Sequence, residues 1–374
     1  MSLDRDALER VVSEVVAPNA TSVDRDGRFP TEALGALRDG GFLGLTVGTD
    51  HEGGGGSMAD AAVVVEQLAG ACGSTAMVVL MHYAATAVLE AYGPADTRSA
   101  IGRGEHLTTL AFSEAGSRSH FWAPCGTATA EGDRVRLDAD KSWVTSAAAA
   151  DSYVWSSTPL DADGPMTLWL VPSDAAGLDI GKEFDGLGLR GNGSVPVHAG
   201  GVRVAASAQL GDDGKGLDIA LEAALPWFLV LSAAFALGLM EAVTSDTLGH
   251  ATTTKLEHLG STLISQPLVR SDIARMRITT DSTRAFLADT LAALGEGRAD
   301  AVLRVLESKA VGAEAAIDVS DRAMKVCGGA AFRKELGVER RFRDARAARV
   351  MAPTTDALLD FVARAISGMP LLDA

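Results

Sequence analysis

Two short segments of this 374-residue chain pair an aromatic ring with small hydroxyl groups. One runs Leu110-Ala111-Phe112-Ser113-Glu114-Ala115-Gly116-Ser117-Arg118-Ser119, the other Lys141-Ser142-Trp143-Val144-Thr145-Ser146. A flat tricyclic ring wants an aromatic wall, here Trp143, and small polar groups for its heteroatoms, here Ser113 and Thr145. Either segment alone is more simply a Ser/Thr-rich strand end. A third segment, Cys327-Gly328-Gly329-Ala330-Ala331-Phe332, holds two adjacent glycines. A fourth, Arg343 to Asp356, sets three arginines ahead of Ala352-Pro353-Thr354-Thr355-Asp356.

Other chemistries fail on spacing. There is no G-x-x-x-x-G-K-[ST] loop and no G-x-S-x-G elbow, and Gly53 to Gly56 lacks the preceding strand of a dinucleotide fingerprint. The seven His show no metal spacing, and Cys72, Cys125 and Cys327 are too scattered for a zinc site or a disulfide framework, so no metal is expected. A net charge of −16 without a Lys/Arg-rich run argues against nucleic acid as a partner. The opening Met1-Ser2-Leu3-Asp4-Arg5-Asp6 has no apolar core behind a basic start, so no signal peptide is expected. Together with the cysteine usage, this places the chain in a reducing cytoplasm. The apolar run Ala223 to Met240 is long enough to span a membrane. Pro226, Ser232 and Gly238 interrupt it, however, and predict a buried bundle helix and no membrane span.

The elements that must position these residues fall into three regions. Hydrophobic content of 47% and this length predict a large core divided among domains. Up to residue 106 the pattern is helical: Leu8, Val11, Val12, Val15 and Val16 recur at helix spacing, Pro30 opens a second helix, and Ala61 to Cys72 and Thr75 to Tyr92 form two more. Between these, Gly53 to Gly56 reads as a flexible loop ending in the N-cap Ser57. Residues 107–208 switch to short β-branched segments between Gly/Asp turns, which predicts a small antiparallel barrel or sandwich. Residues 209–374 return to long helices, broken near Thr252 to Lys255, Gly295 to Arg298 and Gly328 to Gly337.

In that order the segments resemble those of the acyl-CoA dehydrogenases, a family of FAD flavoproteins. The first resembles x-x-x-T-E-P-x-A-G-S and the second K-x-W-I-T-N. Gly188-Leu189-Arg190-Gly191-Asn192-Gly193-Ser194 resembles G-x-R-G-S, with Arg190 expected to form a structural ion pair. Glu339-Arg340-Arg341-Phe342-Arg343-Asp344 is similar to E-R-x-x-R-D, whose charges are expected to be mostly salt-bridged at a helix terminus. The resemblance extends over nearly the whole chain, including Val64 to Ala69 and Ser74 to Ala76. It implies an α+β multidomain fold with an N-terminal helical domain, a middle β-domain and a C-terminal four-helix bundle. It also implies FAD contacted by Phe112, Ser113, Ser119, Trp143 and Thr145 and, from the last domain, by Lys255, Gln266, Gly328, Gly329, Thr354 and Asp356. Lys255 stands where the family has an Arg, which keeps the charge and loses the two-pronged geometry. Because the family's FAD site spans subunits, a homotetramer or homodimer is implied. An acyl thioester substrate is implied too, with a flavoprotein or oxygen taking the electrons.

One departure matters for the reaction. Where the family reads Y-E-G-T, its Glu removes the substrate α-proton; here that position is Ala352. Some members carry the Glu on the first long helix of the bundle instead, and there the residue is Phe228. Glu222, six residues earlier, should face elsewhere at 3.6 residues per turn. Asp356 is the remaining candidate base, and Glu114 is expected to be structural. Three readings follow: an acyl-thioester dehydrogenase with a displaced or absent base, a flavin-dependent monooxygenase or N-hydroxylase on the same fold, and a non-catalytic partner subunit of a mixed oligomer. For the second, His82 and His120 are candidates.

Overall fold

The computed structural model describes residues 3–118, 120–182 and 184–372. The chain divides into two compact units. The first takes in the chain up to Val64, then Met77–Gly186 and Arg190–Phe228; the second takes in Val65–Ala76, Leu187–Leu189 and the chain from Leu229 onward.

Six helices come first: α1 Arg5–Val11, α2 Ala17–Asp26, α3 Thr31–Asp39, α4 Met58–Ala71, α5 Gly73–Tyr92 and α6 Ala95–Gly102. Ser57 caps α4 through a reciprocal pair: the Asp60 amide donates to Ser57 Oγ at 3.2 Å, and the Ser57 amide donates to Asp60 Oδ2 at 2.9 Å. The glycines before it do not make a flexible loop, contrary to the expectation above. The Gly54 and Gly56 amides donate to the Gly44 and Leu45 carbonyls at 3.0 and 2.7 Å, and a Cβ on Gly53 would lie 2.3 Å from the Val47 carbonyl oxygen. They are glycines because two stretches of backbone meet there.

The β region is a sandwich of two four-stranded sheets. One has the order β1 (Thr108–Ala111), β4 (Ser152–Ser157), β5 (Thr167–Pro172), β8 (Gln209–Leu210). The other has the order β2 (Thr127–Glu131), β3 (Arg134–Val144), β7 (Val195–Ala205), β6 (Leu178–Ile180). Alternate residues of β3 and β7 (Val135, Leu137, Val197, Ala199, Val202) share one core with Tyr153, Trp155 and Trp169 of the first sheet. The antiparallel expectation fails at one pair, since β1 and β4 are parallel. Between them the chain crosses to the other sheet and back, the long connection that a parallel pair requires.

The start of β1 is fixed by His82 of α5, which is fully buried. The Thr108 amide donates to its Nδ1 at 3.2 Å, leaving Nε2–H to donate to the Leu43 carbonyl at 3.0 Å. Burial lowers the imidazole pKa to about 4, outweighing the Leu43 carbonyl and Asp151, which favour the charged form. Protonation would also set a second N–H against that of Thr108. As pH falls from 6.5 towards 4, the unfolded chain takes up a proton that the folded one refuses, so stability is lost on acidification. The loss reaches about 3 kcal/mol. In urea unfolding followed across that window, the stability gap between wild type and His82→Gln is expected to narrow as pH falls; a constant gap would refute this reading.

The second unit holds most of α8 (Leu225–Thr253), then α9 (Pro267–Glu296), α10 (Ala301–Cys327), α11 (Val338–Val350) and α12 (Thr355–Ile366). A single turn, α7 (Gly216–Ile219), precedes α8, and the helix is continuous from Gly216 to Thr253 through a π-helical turn at Ala220–Ala224. Its apolar stretch is 83% buried, so it is a core helix as expected. In α10, small residues let the backbones approach: a Cβ on Gly312 would sit 3.1 Å from Ala233 of α8.

Candidate functional site

In the first unit the structure gathers Phe112, Ser113, Trp143 and Thr145. The Ser142 amide donates to the Ser113 carbonyl at 2.9 Å, and the Ala115 amide donates to the Asp140 carbonyl, so the segment after β1 lies along the end of β3. There β3 slips register between Lys141 and Val144, and Trp143 adopts φ 55°, an uncommon left-handed conformation for an aromatic residue. The bulge turns the indole outward: Trp143 is 62% exposed while Val144 is buried. Its ring lies 4.1 Å from that of Phe184, a neighbour that sequence reasoning missed. Thr145 Oγ1 and Ser194 Oγ are 3.0 Å apart, and the Ser146 and Ala147 amides donate to the carbonyls of Asn192 and Gly193. Ser146 also has a positive φ, and its hydroxyl is buried without a hydrogen-bond partner among the described residues. Strained backbone held by surrounding bonds marks a place where side-chain direction is fixed.

Beneath this surface lies a buried ion pair. Lys141 Nζ donates to Glu114 Oε1 at 2.5 Å and to the carbonyl and hydroxyl of Ser156 at 2.7 and 2.9 Å. It also lies 5.0 Å from the centre of the Trp155 ring. The second Glu114 oxygen accepts the amides of Cys125 and Gly126. Burial lowers the Lys141 pKa and the Glu114 carboxylate opposes that. Glu114 is thus part of the scaffold that joins the segment after β1 to the end of β3. Arg190 is likewise structural, donating to Asp185 at 2.6 Å and to the Asp24 carbonyl at 2.9 Å.

His82 is taken up by the fold, whereas His120 lies on an exposed loop against Trp122, edge-on at 4.9 Å. Ser119 lies outside the described residues. Phe228 is a buried side chain of α8 and Glu222 is exposed.

In the second unit, Lys255 and Gln266 occupy one connector. Lys255 is an exposed residue of a two-stranded ladder in which it pairs with Thr262, and Gln266 is the N-cap residue of α9. Gly328 and Gly329 lie on a separate turn after α10, where an added Cβ would meet nothing within 4 Å and Phe332 is 79% exposed. The α11 charges are paired as expected: Arg343 with Glu339 at 2.6 Å, Arg341 with Asp246 at 2.5 Å, and Asp344 accepting the Leu189 amide at 2.6 Å. Beyond α11, Ala352 is half-buried. Thr354 caps α12 by accepting the Ala357 amide, and Asp356 is exposed in that helix's first turn, where an acidic residue is stabilising irrespective of catalysis.

These surfaces suit a large planar ligand with an anionic tail. In the first unit Trp143 supplies an exposed aromatic ring, with the Thr145 and Ser194 hydroxyls on the segment that follows it; in the second, taken by itself, Gly328 and Gly329 supply open backbone. Sequence models of the acyl-CoA dehydrogenase N-terminal, middle and C-terminal domains match residues 3–101, 109–202 and 214–367. The chain belongs to the acyl-CoA dehydrogenase family, whose members are FAD-dependent enzymes acting on acyl thioesters. A probable acyl-CoA dehydrogenase of Bacillus subtilis, YngJ, is 26% identical over 94% of each chain. The butyryl-CoA dehydrogenase of Megasphaera elsdenii superposes with a TM-score of 0.92 at 22% identity, covering 98% of both chains. FkbI, described in connection with the methoxymalonyl extender unit of the polyketide Fk520, superposes at 0.86 with 25% identity over 98% of this chain and all of its own.

Proposed function

We propose that the enzyme oxidises an acyl thioester without a carboxylate acting from position 352. The observation that carries this reading is the outward-turned Trp143 followed by Thr145, which would suit a flavin ring, taken with Ala at position 352 and a buried Phe at position 228. When bound, FAD supplies a two-electron, hydride-accepting ring. Trp143 would stack beside that ring, and Thr145, Ser113 and Ser194 would meet its polar edge. The Gly328–Gly329 backbone and Lys255 would receive the pyrophosphate. With no acid at 352 or 228, the α-proton must leave by one of two routes. Either Asp356 removes it, or the substrate carries a second electron-withdrawing group that makes the proton acidic enough for solvent water to accept it. The description of FkbI, biosynthesis of a methoxymalonyl extender unit, supports including malonyl-type thioesters among the substrates tested. Assembly as a homotetramer or homodimer, and transfer of electrons to a flavoprotein or to oxygen, complete the proposal.

The test mixes FAD-loaded protein anaerobically with simple acyl thioesters and with α-alkyl-β-carbonyl acyl thioesters, which keep a β-hydrogen on the alkyl branch, on coenzyme A and on carrier protein, and follows flavin absorbance. Bleaching by an activated thioester is the expected result. The two apolar base positions also favour a second reading, an oxygen-using hydroxylase that needs a dry pocket and no α-proton base. Absence of bleaching, together with substrate hydroxylation once reduced flavin and oxygen are supplied, would establish that reading and overturn the first.

A further inference from the structure

Lys309 is a buried cation to which the reading above gives no role. It lies in the middle of α10 on the inward stripe that includes Val305, Ala313 and Ala316, and is 1% exposed. Its Nζ donates to three carbonyls, those of Ala348 at 2.9 Å, Met351 at 3.0 Å and Pro353 at 2.8 Å. All three belong to the end of α11 and the turn that follows it, so the contacts bracket position 352 on both sides.

The end of α11 explains why a cation is needed. The last four carbonyls of any α-helix lack intrahelical partners. The usual remedy, a glycine turning back in the left-handed conformation, is absent here: the C-cap residue Met351 is extended, with φ −64° and ψ 134°. The chain leaves the helix directly into Ala352-Pro353, and Lys309 collects the carbonyls instead. An ammonium has three donors and no acceptor, so it satisfies three carbonyls, whereas a neutral amine would turn a lone pair towards one of them. Burial lowers the Lys309 pKa to about 7. The carbonyl cage opposes that and favours the charged form.

We propose that Lys309 is the positioning residue of the 348–353 corner, fixing the backbone on either side of position 352 and so the surface that residue 352 offers to substrate. The functional half of this statement rests on the reading that the corner borders the reacting acyl chain; the structural half does not.

The two halves are tested together by hydrogen exchange and flavin reduction on the FAD-loaded full-length protein. In wild type, the amides of Arg349 to Met351 are expected to exchange as slowly as the middle of α11. Exchange there at the free-peptide rate would overturn the proposal without any variant. Lys309→Met is expected to speed exchange of those amides about tenfold or more while leaving α9 unchanged, because charge-assisted hydrogen bonds are lost. Lys309→Gln, which keeps one amide donor group in a milder change, should fall between. Equal acceleration throughout the unit, or none, would overturn the clamp. With a thioester that bleaches the wild-type flavin, Lys309→Met should slow reduction about tenfold at little change in KM, since the loss is one of orientation. An unchanged reduction rate with a loosened corner would leave Lys309 a helix cap and overturn its role in the reaction. If no thioester bleaches wild type, the proposed function fails, and the exchange data still decide the clamp.

Discussion

Ala352→Glu is expected to gain oxidation of simple acyl-CoAs that wild type turns over slowly or not at all. A positioned general base contributes on the order of a hundredfold to ten-thousandfold to a proton abstraction, and wild type has only a methyl group at this position. The backbone around 352 is already held by Lys309 through the carbonyls on both sides, so a longer side chain there would start from a fixed point. Ala352 is half-buried, leaving room for a carboxylate to reach outward and keep partial solvation. The measurement is the anaerobic rate of flavin bleaching by a straight-chain acyl-CoA against pH. The gain should grow as the introduced carboxyl ionises. A folded, FAD-loaded Ala352→Glu with no gain on any acyl-CoA would show that this corner does not meet an α-carbon. It would shift the balance to the hydroxylase reading.

The second large effect is expected from Lys141→Met. It leaves Glu114, 2% exposed, as a buried carboxylate without its cation. Removing one partner of a buried pair costs about 3–5 kcal/mol, because the remaining charge is desolvated and uncompensated. Two amides still donate to Glu114, which places the loss towards the lower end of that range. The same change should release FAD, since Lys141 and Glu114 join the strand that turns out Trp143 to the segment holding Phe112 and Ser113. Adding Glu114→Gln should restore much of the stability, as neutralising both partners removes the unpaired charge. Denaturant unfolding and bound-flavin absorbance of the single and double variants report the two consequences separately. A single variant within about 1 kcal/mol of wild type, the range of an exposed pair, would show that this network contributes little.

The candidate site residues could be picked out because their types stand at strand and helix ends that sequence can locate. Trp143 and Thr145 sit at a strand terminus, Ser113 follows a strand, and Gly328-Gly329 end a long helix. The structural roles of Arg190 and the α11 charges were legible for the same reason, since they lie next to turns where ion pairs form. Lys309 was missed. Its only signal is a charged residue at a core position of an otherwise apolar stripe, and nothing local says what it holds, because its three acceptors lie about forty residues downstream. The glycine run at 53–56 was misread for a similar reason. A glycine that permits close packing looks the same in sequence as one that permits motion, and only the neighbouring carbonyls distinguish them.

By itself, the sequence determined the order of helices, strands and helices, the family resemblance, and the identities Ala352 and Phe228 at the two positions where the resemblance leads one to expect a base. These are matters of local periodicity and residue identity, which survive without coordinates. Tertiary structure alone decided that β1 and β4 run parallel, that a bulge turns Trp143 outward against Phe184, and that one buried ammonium holds the corner around position 352. Each of these depends on groups distant in the chain finding one another, and hydrogen-bond demand in a buried environment sets such pairings only once the core has formed.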